Sequence, residues 1–482
     1  MAQTPYLTVP VKTTKMPPGI PYIIGNEAAE RFNFYGMRAI LVVFMTKYLV
    51  DRSGALAPMK ENDAHAAYHW FLFVNYFFPT MGAILSDALW GKYKTIIWLS
   101  LVYCLGSAVL AFDHTRMGLT VGLTLIAIGS GGIKPCVSAH VGDQFGPANQ
   151  SLLSRAFGWF YFSVNFGSFF SILLIPALLE KPSGPIQWLP DFAALPLYRF
   201  LEHNAGAGLA FGFPAVLMLL ATFVFWSGRY KFAHIPPGGK VFLRETFSPM
   251  GLATLGRIAS IYVFVAIFWS LWDQSGGEWV TQAEKMDLHF LGITWFASQI
   301  QAVNAIMILS FIPLFQYVIY PVINRVFTLT PLRKIGLGLV VAGLSFLISA
   351  WIETQIKAGL HPSIGWQMPA YALLSAAEVM VSITALEFAY TQSPKTMKAV
   401  IMSLYLLAIA SGNAFTALVH VFIANQDGTV KLQGAAYYNF FAVLCIGCVV
   451  VYVFVAKAYK EKSYLQTDIP ETAVEADNAA AT

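Results

Sequence analysis

Long apolar stretches, each about the length of a bilayer-crossing helix, recur along the whole chain with polar interruptions between them. At roughly 20 residues per span, the pattern predicts twelve helices, near 21–50, 64–87, 94–112, 117–139, 152–179, 207–227, 254–274, 293–320, 332–352, 367–392, 397–424 and 436–457. The connections are short from the first to the fifth and from the seventh to the eleventh. The sixth runs from Ser227 to about Gly251 and holds Arg229, Lys231, the run Pro236-Pro237-Gly238-Gly239, Lys240 and Arg244, the composition of an interdomain linker. It divides the helices six and six. The expected organisation is an N-terminal tail over 1–20, a six-helix bundle over 21–227, a linker over 228–251, a second six-helix bundle over 252–459 and a disordered tail over 460–482. This is an all-α membrane protein, laid out as two bundles that rock about a site near the bilayer midplane.

Composition agrees with that class. Of 482 residues, 57% are hydrophobic and only 11% charged, where soluble domains run near 25% charged. An even number of spans puts both ends of the chain on one side. The connections on that side hold Lys92, Lys94, Arg155, Arg325, Arg333, Lys334, Lys395, Lys398 and Lys457 and outweigh the other side in basic residues, so the termini and the linker are expected in the cytoplasm. The net charge of +5 is small and dispersed, which excludes nucleic acid as a partner. The stretch from Met1 to Gly19 lacks an apolar region with a cleavage site, so no cleaved signal is expected and the first helix directs insertion. Cys104 and Cys136 are isolated and Cys445 and Cys448 lie within an apolar helix, a packing arrangement rather than a redox or zinc one. The chain has no His-Glu-x-x-His, no Gly-x-Ser-x-Gly and no Gly-x4-Gly-Lys-Ser/Thr, so neither hydrolase nor ATPase chemistry is indicated.

Charge within the spans is therefore informative. The segment Glu27-Ala-Ala-Glu30-Arg31-Phe-Asn-Phe-Tyr35-Gly puts two carboxylates and an arginine into the first helix. An ionised side chain at bilayer depth costs roughly 3 kcal/mol on insertion scales, so such groups persist where they face one another or a wet cavity. Glu27, Glu30, Arg31 and Arg38 follow helical spacing and share one stripe over about three turns.

Between the second and third helices, Gly82-Ala-Ile-Leu-Ser-Asp87-Ala-Leu-Trp-Gly91-Lys92-Tyr-Lys94 resembles the signature loop of the major facilitator superfamily. Further segments resemble the signatures of proton-dependent oligopeptide transporters, a family within it: Glu27-x-x-Glu30-Arg31-Phe32, Gly129-Ser-Gly-Gly-Ile-Lys134 through Gly142-Asp143-Gln144-Phe145, and Phe160-Tyr161-Phe-Ser-Val-Asn165-Phe-Gly167-Ser168. The second half agrees, with Phe268-Trp269-Ser-Leu-Trp-Asp273-Gln274-Ser-Gly276, Gln301-Ala-Val-Asn304 with Pro313, and Glu378-Val-Met-Val-Ser382 with Leu386-Glu387-Phe388 and Gln392-Ser-Pro394. The resemblance implies the major facilitator fold and import of di- and tripeptides coupled to protons.

The residue types suit that cargo. A peptide is a zwitterion with variable side chains, so a general carrier should grip its charged ends and backbone. Arg38 and Lys134 can form the cationic pole, which the resemblance places toward the substrate carboxylate. Glu378, with the amides of Asn165 and Asn304, can form the anionic pole. Tyr35, Tyr76 and Tyr161 offer amphipathic walls, joined in the candidate substrate set by Trp269 and Ser382. The two asparagines also suit interhelical hydrogen bonding, and Tyr76 and Tyr161 also suit packing. The resemblance makes Glu27, Glu30 and Arg31 the proton-coupling unit, with protonation of Glu30 freeing Lys134 or Arg31 for the substrate. His69 matches a histidine of animal-type members and is expected to admit or gate the proton. Asp273 is expected to pair with Arg38 as an outer gate, while Asp87 and Glu387 are expected to serve as conformational latches.

The chain departs from the family pattern at Phe34 and Tyr405, where tyrosine and tryptophan are common, and it has neither an additional helix pair between the halves nor a large domain between the ninth and tenth helices. Two other readings remain, a proton-coupled carrier of nitrate or another small anion and a non-transporting peptide sensor. The favoured reading is a non-enzymatic symporter in a plasma or bacterial inner membrane, functional as a monomer in the lipid bilayer. Its partners are di- and tripeptides and protons, and a proton gradient drives it with no cofactor or metal.

Overall fold

The computed structural model describes residues 6–181, 187–237, 248–391, 398–425 and 429–459. The tail over 460–482, Lys240 and Arg244 of the linker, and Gln392, Pro394 and Lys395 lie outside them. So do the side chains of Asp87 and Glu387.

The first half comprises α1 (Ile20–Lys47), α2 (Glu61–Leu85), α3 (Lys92–Phe112), α4 (Arg116–Gly142), α5 (Leu153–Leu179), α6 (Asp191–Asn204) and α7 (Ala207–Ser227). The second comprises α8 (Pro249–Trp272), α9 (Glu278–Ala283), α10 (Ala302–Leu314), α11 (Pro331–Lys357), α12 (Gln367–Glu378), α13 (Thr384–Thr391), α14 (Lys398–Ile423) and α15 (Ala435–Ala458), with α10 continuing through Phe315–Ile319 to Asn324. Within a bilayer only a helix satisfies its own backbone, so apolar runs of this length have little alternative. Eleven described helical runs are long and apolar enough to cross a membrane. The twelfth crossing is α1, whose 28 residues suffice in length but include Glu27, Glu30, Arg31 and Arg38. Side-chain caps start several of them: Thr115 accepts from Gly118 N, Ser248 from Gly251 N and Thr330 from Arg333 N.

Four features differ from the pattern-based expectation. The fifth connection is not short, since it holds α6, 14 residues long. A search for spanning apolar runs passes over a helix this brief and this polar. The seventh span does not stop near 274 either: α8 gives way to a tight turn over Asp273–Gly276 and helical structure resumes as α9. The chain then forms a small hairpin, β1 (His289–Phe290) against β2 (Ile293–Thr294), so the eighth span begins with Ala297 rather than 293. The tenth span is interrupted as well, because a wide π-turn over Val379–Ile383 follows Glu378.

In the first half α1 packs on α5 and α7, α3 on α4 and α7, and α2 on α4; in the second, α11 packs on α12 and α15 and α8 on α14. The halves meet where α2 lies against α14 and α5 against α10. Polar links between the halves gather at the end of the molecule where α1 stops and α2 starts, the α1–α2 face. There Lys47 pairs with Glu284 at 2.5 Å, Lys285 with Glu61 at 3.1 Å, and Gln299 Nε2 donates to the Leu173 carbonyl at 2.7 Å. At the opposite end, the α2–α3 face, the N-terminal segment meets the start of the linker: His234 N donates to Leu7 O at 2.7 Å and Tyr6 stacks on His234 at 4.3 Å.

The Gly82-to-Lys94 motif has a steric basis. Gly91 turns the chain with a φ of 75°, a left-handed value that favours glycine. Lys92 ties this turn to the end of α4 through Asp143 at 2.9 Å. A Cβ on Gly82 would sit 2.5 Å from the Gly132 Cα, so α2 and α4 cross backbone to backbone. Gly82→Val should therefore destabilise the fold by about 1–3 kcal/mol, the usual range for overpacking. A thermal midpoint in detergent equal to that of the unchanged chain would show that the crossing can relax.

Candidate functional site

The charged stretch of α1 closes on itself first. Arg31 Nε donates to Glu27 Oε1 at 2.7 Å and lies 3.2 Å from Glu30 Oε2, while Ser130 Oγ of α4 donates to Glu30 Oε1 at 2.6 Å. Both glutamates are 1% exposed. Lys134, one turn beyond Ser130, does not take part in these bonds. Its ammonium is buried without a hydrogen-bond partner among the described residues and sits over the Phe34 ring at 3.8 Å and the Tyr76 ring at 4.7 Å. Glu30 is thus held by Arg31 and Ser130, while Lys134 interacts with it electrostatically without a hydrogen bond.

Across the interface, Glu378 ends α12 just before the π-turn. Its Oε2 accepts from Trp272 Nε1 at 2.7 Å and from Asn304 Nδ2 at 3.0 Å, while Oε1 has no partner among the described residues. Asn304 is itself steadied by Ser375 Oγ at 3.0 Å. The neighbouring tryptophan, Trp269, is packed among Phe268, Trp272 and Tyr405 and does not reach Glu378. Ser382 is hydrogen-bonded to Tyr405 through their hydroxyls at 2.5 Å. Asn165 Nδ2 donates back to the Tyr161 carbonyl at 2.9 Å, and Tyr161 is 45% exposed. Tyr35 joins the two sets, since it interacts electrostatically with Glu30, Arg31 and Arg38 on its own helix and with Glu378 on the other half. Lys134, Tyr35, Tyr161, Asn165, Asn304 and Glu378 all retain partial exposure, whereas the α1–α2 face is sealed. Tyr161 also interacts electrostatically with Tyr35 and Glu378, so side chains of the two halves approach one another here.

The seal is a continuous chain of polar contacts. Arg38 Nη2 donates to Asp273 Oδ1 at 2.7 Å, Arg38 Nε to Tyr68 Oη at 2.7 Å, and the guanidinium lies 5.0 Å from the Trp272 ring centre. Asn413 Nδ2 donates to Asp273 Oδ2 at 2.5 Å, and its Oδ1 faces His69 Nδ1 at 2.8 Å. His69 Nε2 meets Glu278 Oε1 at 3.0 Å, and His420 Nε2 reaches the same oxygen at 2.8 Å. All of these side chains are buried except Trp272, which is partly exposed. The chain joins α1 and α2 of the first half to α8, α9 and α14 of the second.

Sequence reasoning passed over Tyr68, Asn413, Glu278 and His420. Glu278 falls beyond the Ser275-Gly276-Gly277 break and reads as loop when the helix is taken to end at 274. His420 carried a usable signal, because it is a titratable side chain inside an apolar span, as His69 is.

Comparison with known proteins places this geometry in context. The sequence model of the POT family matches residues 93–254 and 248–439. Peptide transporter family 1 of Drosophila melanogaster is 36% identical over 385 residues, covering 72% of this chain and 49% of that protein. Solute carrier family 15 member 2 of Mus musculus is 32% identical over 413 residues, covering 76% of this chain and 53% of that protein. The chain spans about half the length of the curated relatives it matches. Among solved structures, the in meso crystal structure of the POT family transporter PepTSo superposes with a TM-score of 0.79 at 34% identity, over 92% of this chain and 99% of that one.

The Arg38–Asp273 pair has a measurable signature. Removing one partner of a buried ion pair leaves an uncompensated charge, a loss of about 3–5 kcal/mol. Arg38→Ala should therefore lower the thermal midpoint more than the double change Arg38→Ala with Asp273→Asn, which removes both charges. Equal midpoints for the single and double variants would mean that the two groups are not energetically coupled.

Proposed function

The chain belongs to the POT family, and on that footing we propose that it is a proton-coupled symporter that imports di- and tripeptides by alternating access of its two six-helix bundles. The observation that supports this most directly is that an ammonium, Lys134, and a carboxylate oxygen, Glu378 Oε1, on opposite halves have no hydrogen-bond partner among the described residues. A zwitterion needs both poles. A small anion has no use for Glu378, which weighs against nitrate.

In this reading the substrate carboxylate meets Lys134, and its amino group meets Glu378 Oε1, with Asn165, Asn304, Tyr35 and Tyr161 around the peptide backbone. Trp272 belongs to the anionic pole as the donor that orients Glu378. Arg31, Glu27 and Glu30 couple the proton: a proton on Glu30 removes the charge that Arg31 and Ser130 now hold, which lets Arg31 turn toward the substrate. Arg38 and Asp273 form the gate at the α1–α2 face, and protonation of Asp273 weakens their link. Asn413 joins Asp273 to His69, so a proton arriving at His69 is felt at the gate. The bias of Lys and Arg places the α2–α3 face and both termini in the cytoplasm, in a plasma or bacterial inner membrane, with the monomer as the working unit. One proton crossing 100 mV supplies about 2.3 kcal/mol and each pH unit about 1.4 kcal/mol, which suffices for uphill import.

Purified protein in liposomes tests the reading. An inward proton gradient should drive labelled dialanine uptake, and uptake indifferent to the gradient would reject the coupling. Glu30→Gln should abolish gradient-driven accumulation while some exchange of peptide persists; accumulation at the original level would remove Glu30 from the coupling role. Glu378→Ala should weaken peptides with a free amino end roughly 10-fold or more, as expected for a charged hydrogen bond, and N-acetylated ones much less. Equal losses for both would refute the amine contact.

A further inference from the structure

Four buried basic atoms converge at one point of the α1–α2 face. His69 Nε2, His420 Nε2 and a Glu278 oxygen lie within 4.8 Å of one another, and His65 Nδ1 stands 3.8 Å from Glu278 Oε1. His65, His69, Glu278 and His420 are each 5% exposed or less.

The surrounding hydrogen bonds decide which ring nitrogens bear protons. Asn413 Nδ2 donates to Asp273 Oδ2 and to the Ile409 carbonyl, so its Oδ1 is an acceptor and the facing His69 Nδ1 must carry hydrogen. Asn62 is fixed in the same way: its Nδ2 donates to the His420 carbonyl at 2.9 Å, and its Oδ1 accepts from His420 Nδ1 at 2.8 Å. In both imidazoles the Nε2 lone pair therefore points at Glu278. Thr281 Oγ1 donates to the Gly277 carbonyl, so it accepts from His65 Nε2, which leaves the His65 Nδ1 lone pair without a hydrogen-bond partner and aimed at the same carboxylate. The Tyr437 hydroxyl, 3.3 Å from Glu278 Oε1 and 2.9 Å from His420 Nε2, offers a single hydrogen to this group, so the convergent lone pairs and carboxylate are fully relieved only by a cation, a proton or a metal ion, among them.

We propose that His69, His420, Glu278 and His65 form a binding site for a divalent transition-metal ion of the zinc class, which bridges the two halves. Neutral imidazoles and a carboxylate are the donors that such an ion takes, four in number and tetrahedral. Bonds of about 2.0–2.2 Å place tetrahedral ligand atoms roughly 3.3–3.5 Å apart, close to the separations of 3.0 Å and 2.8 Å between the two Nε2 atoms and Glu278 Oε1. His69 and His420 each have the other ring nitrogen held by an amide oxygen, and His65 has its own at the Thr281 hydroxyl, the outer arrangement that orients histidine ligands. A path exists as well. His65, Glu278 and His420 line a cavity of about 720 Å³ that also carries Glu61, Asp63 and Glu353 against Lys60 and Lys285. His65 and His69 belong to α2, and Glu278 and His420 to the other half, so a bound ion staples the sealed face shut.

The binding claim stands apart from the transport reading, and its test needs no transport. Full-length protein in detergent, freed of any affinity tag, is titrated with Zn²⁺ at neutral pH and separately with Co²⁺. About one Zn²⁺ should bind per chain, resist competition by Mg²⁺ and raise the thermal midpoint saturably. Bound Co²⁺ should show the intense visible bands of tetrahedral coordination. His69→Ala and His420→Ala should each weaken Zn²⁺ roughly 10- to 100-fold, on the scale of losing a metal-site contact, whereas His140→Ala should leave the affinity unchanged. The absence of saturable Zn²⁺ binding would mean that protons alone fill the cluster and would overturn the proposal. Pale octahedral Co²⁺ spectra, or unaltered affinity in His420→Ala, would do the same. The cobalt spectrum reads the unchanged chain, so it decides the matter even if a variant fails to fold.

Discussion

A charged side chain inside a bilayer must find a counter-charge or a wetted surface, and the arrangement of this protein follows from how each buried charge meets that demand. Glu27, Glu30 and Arg31 meet it locally, within two turns of α1 and with help from Ser130 of α4. Arg38, two turns further along, finds its partner only on the other half of the molecule, in Asp273. The same helix therefore supplies one charge cluster that is internal to a bundle and one that fastens the two bundles together.

The fastening extends further because α8 breaks. Had the helix run unbroken past Asp273, the backbone there would have stayed hydrogen-bonded to its own turn. The tight turn over Asp273–Gly276 instead leaves the Asp273 carbonyl open to the Tyr68 hydroxyl at 3.3 Å, while α9 carries Glu278 among three histidines. A second interruption, the π-turn after Glu378, sits beside that partly exposed acid. Asp273–Gly276 and Val379–Val381 are buried within the protein, where backbone that departs from the helix within a membrane is tolerated. Lys134 Nζ has no hydrogen-bond partner among the described residues; its ammonium rests on the faces of Phe34 and Tyr76, an attraction weaker than an ion pair.

Much of this was legible beforehand, for identifiable reasons. The spans could be read because membrane insertion demands long apolar runs, and Glu30, Arg38, His69, Lys134, Asp273 and Glu378 stood out because charge in such runs is rare. The pairing of Arg38 with Asp273 could be expected from motif resemblance, and the two residues do lie in contact at 2.7 Å. Other relationships were not legible. Nothing along the chain assigns the Glu378 contact to Trp272 rather than Trp269, since one helical turn of rotation exchanges them. Glu278 was hidden because the seventh span is expected to end near 274, whereas helical structure resumes at Glu278 after the turn. The amphipathic α6 escaped notice because it neither spans nor breaks the apolar rhythm.

By itself, then, the sequence determined that this chain lives in a bilayer as two sets of helices, and it named most of the titratable groups that such an environment makes conspicuous, because hydropathy and charge are properties of local segments. Only the tertiary structure decided which of those groups touch. Residues as distant in the chain as His69, Glu278 and His420 converge only when α2, α9 and α14 have packed, and the tautomers of their rings depend on asparagines drawn from both halves. Partnership among buried polar groups is set by ångström-scale geometry between helices, a quantity that no periodicity along a single helix encodes.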